Sequence, residues 1–327
     1  MRPVCVIGLG LIGGSVLRAA AASGREVLGG TLSTEDAEAA AADGFTVEST
    51  VDDALRAAAE RDAIVVIAVP LPAVDEVLRR VAVLAPDCLL TDVVSVKTPV
   101  RHAVSRLAPA TVYIGGHPMA GTSSSGWAAS SATLFQSAAW VVTVDDGTPV
   151  DAWRTVAELA LDLGAHVVPT TASEHDDAVA RVSHLPHLLA AVLAAVGADG
   201  GPLALALAAG SFGDGTRVAG SSPELVRAMC EGNQAPLREA LDEALGRLGA
   251  ARGSLASTGS LGKTVHSGHD GRRALDGHRA AAPVPIRLDL AAPEALAGLR
   301  ALGAQGGRIV RLDGDDALGE VPPEPAD

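Results

Sequence analysis

The sequence predicts an α/β protein: a doubly wound parallel sheet, then an all-helical unit, then a short β-α-β appendage. Three observations predict this. Short β-branched runs alternate with alanine-rich helical segments over residues 1–148, the pattern of strands with crossover helices. A glycine-rich turn joins the first run to the first helical segment. From residue 149 the strand-like runs nearly stop, and helical patterns with wide apolar surfaces take over.

Pro3–Ile7 reads as a first strand ending at Gly8, and Leu11–Ser23 as a helix ending at Gly24. Glu26–Leu28 is a short strand, followed by a helix over Thr34–Ala42. A further helix spans Asp52–Glu60, capped by Asp52 or Thr50. Ala63–Val69 is apolar throughout, as a strand covered on both faces requires. Cys88–Val94, Thr111–Ile114 and Trp140–Val144 complete the strands of a domain over 1–148. A helical domain follows at 149–252. It holds helices at Val150–Leu163, Ser173–Val196, Leu203–Ala209, Pro223–Cys230 and Pro236–Ala250, with one short strand at His166–Pro169. Ser173 is the expected cap of the long helix. The width of these apolar surfaces predicts packing against each other and a second subunit, hence a dimerisation domain. Residues 253–282 are rich in Gly, Ser and His without periodicity and read as a linker. Val284–Leu290, Pro293–Leu302 and Arg308–Leu312 form the β-α-β unit of a tail over 283–327, and Pro322–Asp327 reads as a disordered end.

Composition excludes several functions. The 327 residues carry 25 Lys plus Arg against 39 Asp plus Glu, a net charge of −14. A general nucleic-acid or anionic-membrane binder needs a basic face instead. Cys5, Cys88 and Cys230 have no metal-ligand spacing and are too few for a disulfide framework. They read as buried thiols in a reducing cytoplasm. Arg2 followed by an apolar run to Ala22 imitates a secretory signal, but four glycines interrupt it. No stretch is apolar enough, without glycine, proline or charge, to predict a transmembrane helix.

Gly8-Leu9-Gly10-Leu11-Ile12-Gly13 is a G-x-G-x-x-G motif at the first strand-to-helix turn. Gly8 permits the turn and Gly10 the approach of a pyrophosphate. Gly13 lets helix and strand pack closely, and the helix N-terminus supplies the anion site. This context predicts a dinucleotide cofactor in a Rossmann-type sheet. Leu11, Ile12, Thr31, Ser33, Val69 and Pro70 are the further cofactor candidates, at or beside strand ends facing the crevice. An acid at the end of the second strand would hold the ribose 2′-hydroxyl of NAD. None stands in Leu28–Thr34; Glu35 and Asp36 come later, inside the next helix. Thr31 and Ser33 suit a 2′-phosphate, yet no arginine stands there to bind one. NAD is the expected cofactor and NADP stays open.

Four further segments place polar residues where a core would exclude them: DVVSVK at 92–97, GGHPMAGT at 115–122, VSHLPH at 182–187 and FGDGTR at 212–217. Each also has a structural reading. Ser95 could cap the following helix, His117 could be a satisfied core histidine, and Asp214 and Arg217 a surface ion pair. His184 and His187 share a helix face, but no Cys or Glu-x-x-His supports them as a metal pair, and no metal is expected.

With GLGLIGGS at 8–15 and SEHD at 173–176, these segments resemble the prephenate and arogenate dehydrogenases of tyrosine biosynthesis, in order and spacing, over residues 1–250. The resemblance implies a Rossmann domain followed by a helical dimerisation domain, and a cytoplasmic homodimer. It also implies oxidative decarboxylation of prephenate to 4-hydroxyphenylpyruvate, or of arogenate to tyrosine. By motif position His117 is the base on the ring hydroxyl and Ser95 fixes its geometry. Arg217 binds substrate carboxylate and His187 contacts the substrate, with Thr122 on the pocket wall. His184, Asp214 and Asp176 have supporting roles. With a net negative body, the positive charge for an anionic substrate has to be local: Arg217, His187, Lys97 and the helix N-terminus at Gly10–Gly13. One departure is Ser123, where many members of the family carry Glu. Two other classes compete. A β-hydroxyacid or imine-type dehydrogenase would carry a catalytic lysine or acid where this chain has SHLPH. A nonenzymatic dinucleotide sensor would lack the strand-end histidine.

Overall fold

The computed structural model describes residues 1–122 and 124–323; Ser123 and the end of the tail at 324–327 lie outside the described residues. The chain begins β1 (Val4–Ile7), α1 (Leu11–Ala22), β2 (Val27–Gly30), α2 (Thr34–Ala42), α3 (Val51–Glu60), β3 (Ile64–Ile67), α4 (Val74–Leu84), β4 (Leu90–Asp92), α5 (Thr98–Leu107) and β5 (Tyr113–Ile114). The strands form a parallel sheet in the order β2-β1-β3-β4-β5. Val47 adds a single parallel bridge to Gly29. This is the position of the outer strand in a dinucleotide-binding sheet, here reduced to one bridge. Alternate residues of β1 explain its unbroken apolar run. Val4 and Val6 enter the core with α1, while Cys5 and Ile7 enter the core with α3 and α4.

Gly8 leaves β1 at φ +103°, a conformation that favours glycine. A Cβ on Gly13 would stand 1.9 Å from the Gly8 carbonyl oxygen, so the first turn of α1 packs against the loop only without a side chain.

The chain continues through β6 (Gly116–Pro118), β7 (Ala139–Thr143), α6 (Val150–Asp162) and β8 (His166–Thr170). Here the expected boundary at 148/149 moves. β8 pairs in parallel with β7, and α6 buries Trp153, Val156 and Leu159 in the same core as the first sheet. Helical periodicity shows that a face is buried but not what buries it, so α6 was legible as a helix and not as part of this layer.

The helical domain comprises α7 (Ala172–Val179), α8 (Leu185–Asp199), α9 (Gly201–Ala206), α10 (Gly210–Thr216), α11 (Pro223–Gly232) and α12 (Gln234–Thr258). α7 and α8 form one helix joined by a π-helical turn over Ala180–His184. Pro186 lacks an N–H and crowds the carbonyl one turn back, and a widened turn before it accommodates both. Thr171 caps this helix in place of the expected Ser173. Its Oγ1 accepts from Glu174 N at 3.2 Å, while the Glu174 carboxylate accepts from Thr171 N at 3.1 Å. By length and composition the joined helix is apolar enough to cross a membrane, contrary to the sequence expectation. Its N-terminal half instead holds a buried polar cluster of His175, Asp176 and His184.

Residues 253–282 are also helical, not a linker: α12 runs to Thr258 and α13 spans Gly262–Ala280. Both are almost wholly exposed there, so no apolar stripe marks them in the sequence. Same-face ion pairs such as Arg272 with Asp276, at 2.9 Å, give local support.

The tail is β9 (Val284–Asp289), α14 (Ala295–Ala304), β10 (Arg308–Asp313) and β11 (Asp316–Val321). The expected β-α-β unit therefore gains a fourth element, which inserts between β9 and β10. β11 reads DALGEV, with one β-branched residue, and was not legible as a strand. β10 pairs with β8 through Ile309 and Val167, so the tail extends a mixed sheet in the order β6-β7-β8-β10-β11-β9.

Candidate active site

A cleft of about 520 Å³ lies along the carboxyl ends of β2, β3 and β4 and reaches α11. Gly8, Gly10, Leu11, Ile12, Thr31, Ser33, Val69 and Pro70 line it, together with Ser95 and Thr122. Gly13 supports the cleft from behind, through the packing described above. The N-terminus of α1 carries no side-chain cap and no acid in its first turn, and a Cβ on Gly10 would meet nothing within 4 Å. Open N–H groups at a helix start, with free backbone approach, suit a pyrophosphate. Ser33 Oγ accepts from Asp36 N at 3.1 Å and Thr31 Oγ1 from Ser33 N at 3.2 Å, which leaves both hydroxyl protons free to donate.

Beyond the cleft the sheet and the long helix meet at three histidines. Asp176 Oδ1 lies 2.8 Å from His175 Nδ1, and His175 Nε2 lies 2.8 Å from His117 Nδ1. A carboxylate accepts only, so His175 donates from Nδ1 and accepts at Nε2. His117 then donates from Nδ1, which leaves the lone pair on its Nε2. That nitrogen has no partner among the described residues. Burial, then the neighbouring His175 and Lys97, holds the His117 pKa well below the ordinary histidine value. His117 is thus a neutral imidazole with an available base. Asp176 also accepts from the backbone N–H groups of Lys97 and Thr98, each at 2.8 Å. It thereby caps α5 from another domain, a role the sequence reading had allowed Ser95.

His184 is fully buried. Asn233 Nδ2 donates to its Nδ1 at 3.1 Å and to the Asp176 carbonyl at 2.7 Å. The His184 proton therefore sits on Nε2, a buried atom without a partner among the described residues. Burial pushes its pKa down to about 4. Sequence reading missed His175 and Asn233. His175 had a signal, its place within SEHD; Asn233 reads only as a break between helices.

Lys97 was expected in a positive pocket and is instead wholly buried. Its Nζ contacts the Asp92 carboxylate and donates to the Gly116 carbonyl at 2.6 Å. Asp92 also accepts from Tyr113 Oη at 2.7 Å, Val94 N at 3.0 Å and Gly116 N at 3.2 Å. This cluster ties the end of β4 to the residue before His117.

His187 is half-buried. Burial depresses its pKa, and Arg217 nearby lowers it further against the effect of the Val218 carbonyl. Arg217 and Asp214 are both exposed, at the junction of α10 with the following turn. They form no ion pair, the alternative reading of this turn, and Arg217 pairs with no carboxylate among the described residues. Thr122 Oγ1 accepts from Ser124 N at 3.2 Å at the cleft edge. The departure at Ser123 falls outside the described residues.

A parallel sheet with a glycine loop, a buried neutral imidazole beyond it and a helical second domain defines a dinucleotide-dependent dehydrogenase. Known proteins identify which kind. Residues 16–169 match the family model described as "Prephenate dehydrogenase, nucleotide-binding domain", and residues 171–258 its "dimerization domain". The chain belongs to the prephenate dehydrogenase family and is an oxidoreductase. A cyclohexadienyl dehydrogenase of Zymomonas mobilis is 33% identical over 271 residues, covering 78% of this chain and 89% of that protein. A prephenate dehydrogenase of Bacillus subtilis is 33% identical over 248 residues, covering 73% of this chain and 66% of that longer protein. A Corynebacterium glutamicum crystal structure with a provisional prephenate dehydrogenase name is 46% identical, with a TM-score of 0.89. The match covers 94% of this chain and 98% of that one.

Proposed function

We propose that this protein is a cytoplasmic, homodimeric prephenate dehydrogenase that uses NAD. The observation that carries the reading is the chain from Asp176 through His175 to His117, which leaves an unprotonated Nε2 at neutral pH. When bound, NAD supplies the acceptor for the hydride from the ring carbon that bears the hydroxyl. His117 Nε2 takes the hydroxyl proton, and the ring carboxylate leaves as CO2 while the ring becomes aromatic. The product is 4-hydroxyphenylpyruvate. The growing positive charge on His117 is relayed toward Asp176, whose carboxylate His175 and two backbone N–H groups hold in place. Ser95 orients the hydroxyl from the cleft side. Arg217 and His187 meet the side-chain carboxylate, Arg217 with its guanidinium uncommitted to any protein carboxylate among the described residues. Exposed apolar side chains at Val182, Val192 and Val196 on the long helix support the dimer, within the stretch that matches the dimerization domain.

The test combines activity with pH. Incubation with prephenate and NAD should release CO2 and form NADH in equal amounts, and arogenate in its place should react poorly. His117→Asn should bind NADH normally and lose at least about a hundredfold in kcat, the usual scale for a general base. Because the His117 pKa is depressed, kcat/KM of the native enzyme should be flat through neutral pH and fall only as acid protonates that base. Near-native turnover in His117→Asn would end the assignment.

A further inference from the structure

The second strand ends without the acid that usually holds an adenosine ribose, yet the cleft does contain a carboxylate there. Asp36, in the first turn of α2, lines the cleft beside Thr31 and Ser33. Its position is fixed from both ends. Ser33 Oγ accepts its backbone N–H at 3.1 Å, and its Oδ1 accepts from Trp127 N at 2.7 Å. Trp127 is itself clamped: Arg18 stacks over its ring, 4.1 Å from the centroid, and its Nε1 donates to Asp43 at 2.9 Å. Gly126 precedes it at φ +81°, and a Cβ there would stand 3.3 Å from Asp36 Oδ1. Asp36 Oδ2 has no partner among the described residues.

We propose that Asp36, supplied by a helix turn and aimed by the loop after His117, selects NAD over NADP by accepting the ribose 2′-hydroxyl. The charge of the cleft favours this. Asp36, Glu76 and Arg80 are its charged side chains among the described residues. Arg80 is already paired with Glu76 and Asp52, each at 3.1 Å. A 2′-phosphate would bring two further negative charges against Asp36 with no free cation to meet them. A 2′-hydroxyl donates to the open Oδ2.

This inference rests on the cleft being the dinucleotide site, and the test separates the two. The full chain is titrated with NADH and NADPH by fluorescence, and with ADP-ribose and its 2′-phosphorylated form by calorimetry. The native protein should bind the unphosphorylated member of each pair at least about tenfold more tightly, since like charges in contact are costly. Asp36→Asn keeps an oxygen for the Trp127 N–H and removes the charge. In that variant the ratio should fall to within about threefold while the thermal midpoint holds. A purely structural Asp36 would weaken both nucleotides alike, and an unchanged ratio in Asp36→Asn overturns the proposal. So does a native protein that binds both equally. If none of the four ligands binds, the dinucleotide reading of the cleft falls and this proposal with it.

Discussion

At the residue scale, the buried Lys97 shows how charge is used in this protein. One of only two lysines in the chain, it lies in the core and not in the substrate pocket. Its partner Asp92 takes three further donors, so the buried carboxylate is well hydrogen-bonded, the condition under which a buried ion pair is tolerated. Burial lowers the Lys97 pKa, and the adjacent Asp92 opposes that shift. Lys97→Met should therefore lower the unfolding free energy by about 3–5 kcal/mol, because Asp92 is left buried without its cation. Urea unfolding measures this, and the double variant with Asp92→Asn should recover part of the loss. A drop below about 1 kcal/mol would mean that the remaining donors suffice for Asp92. The motif DVVSVK was visible as a polar interruption of a strand, but not the direction of its lysine. Sequence order does not say which of two neighbouring polar side chains turns inward.

At the element scale, the long helix and the tail show where local pattern stops. The joined helix was legible from its apolar period and its acidic first turn. Its π-helical turn was not, although Pro186 marked the place, since a proline can kink, end or widen a helix. The tail was legible in three of its four elements, and its docking in none. α14 approaches the sheet so closely that a Cβ on Gly303 would stand 1.6 Å from the Pro169 carbonyl oxygen. Arg300 Nε donates to the Val144 carbonyl at 2.7 Å, and Arg154 pairs with Asp315 at 2.6 Å. Gly303→Val should thus separate α14 from β8. Amide hydrogen exchange should rise through 284–321 at little cost to protection in β1–β5, because the first sheet shares few of these contacts. Unchanged protection in the tail would show that α14 can shift without undocking.

At the scale of the whole molecule, the negative body and the anionic substrate of the proposed reaction are reconciled by separation. Many surface carboxylates pair with arginines, while Arg217, the proposed substrate arginine, has no carboxylate partner among the described residues and the N-terminus of α1 carries no acid in its first turn. The apolar surface is likewise segregated. Val182, Val192, Val196, Leu203 and Leu207 are each more than 60% exposed in the single chain. A soluble monomer rarely leaves such side chains together in water. Val192→Glu should shift the proposed dimer toward monomer in sedimentation or light scattering, with a desolvated carboxylate opposing association. A dimer of undiminished stability would place the interface elsewhere.

The sequence by itself determined the parallel sheet and the glycine loop, and it singled out His117 as the candidate base. Each depends on near neighbours in the chain: alternation of strand and helix, glycine spacing, and a histidine shortly after a strand-like run. Only the tertiary structure decided that Asp176 reaches His117 through His175, that Lys97 is buried, and that Asp36 stands where a strand-end acid is missing. It also decided that the tail continues a sheet begun in the nucleotide-binding domain. These are contacts between residues far apart in sequence, set by how the layers pack, and local pattern carries no record of that packing.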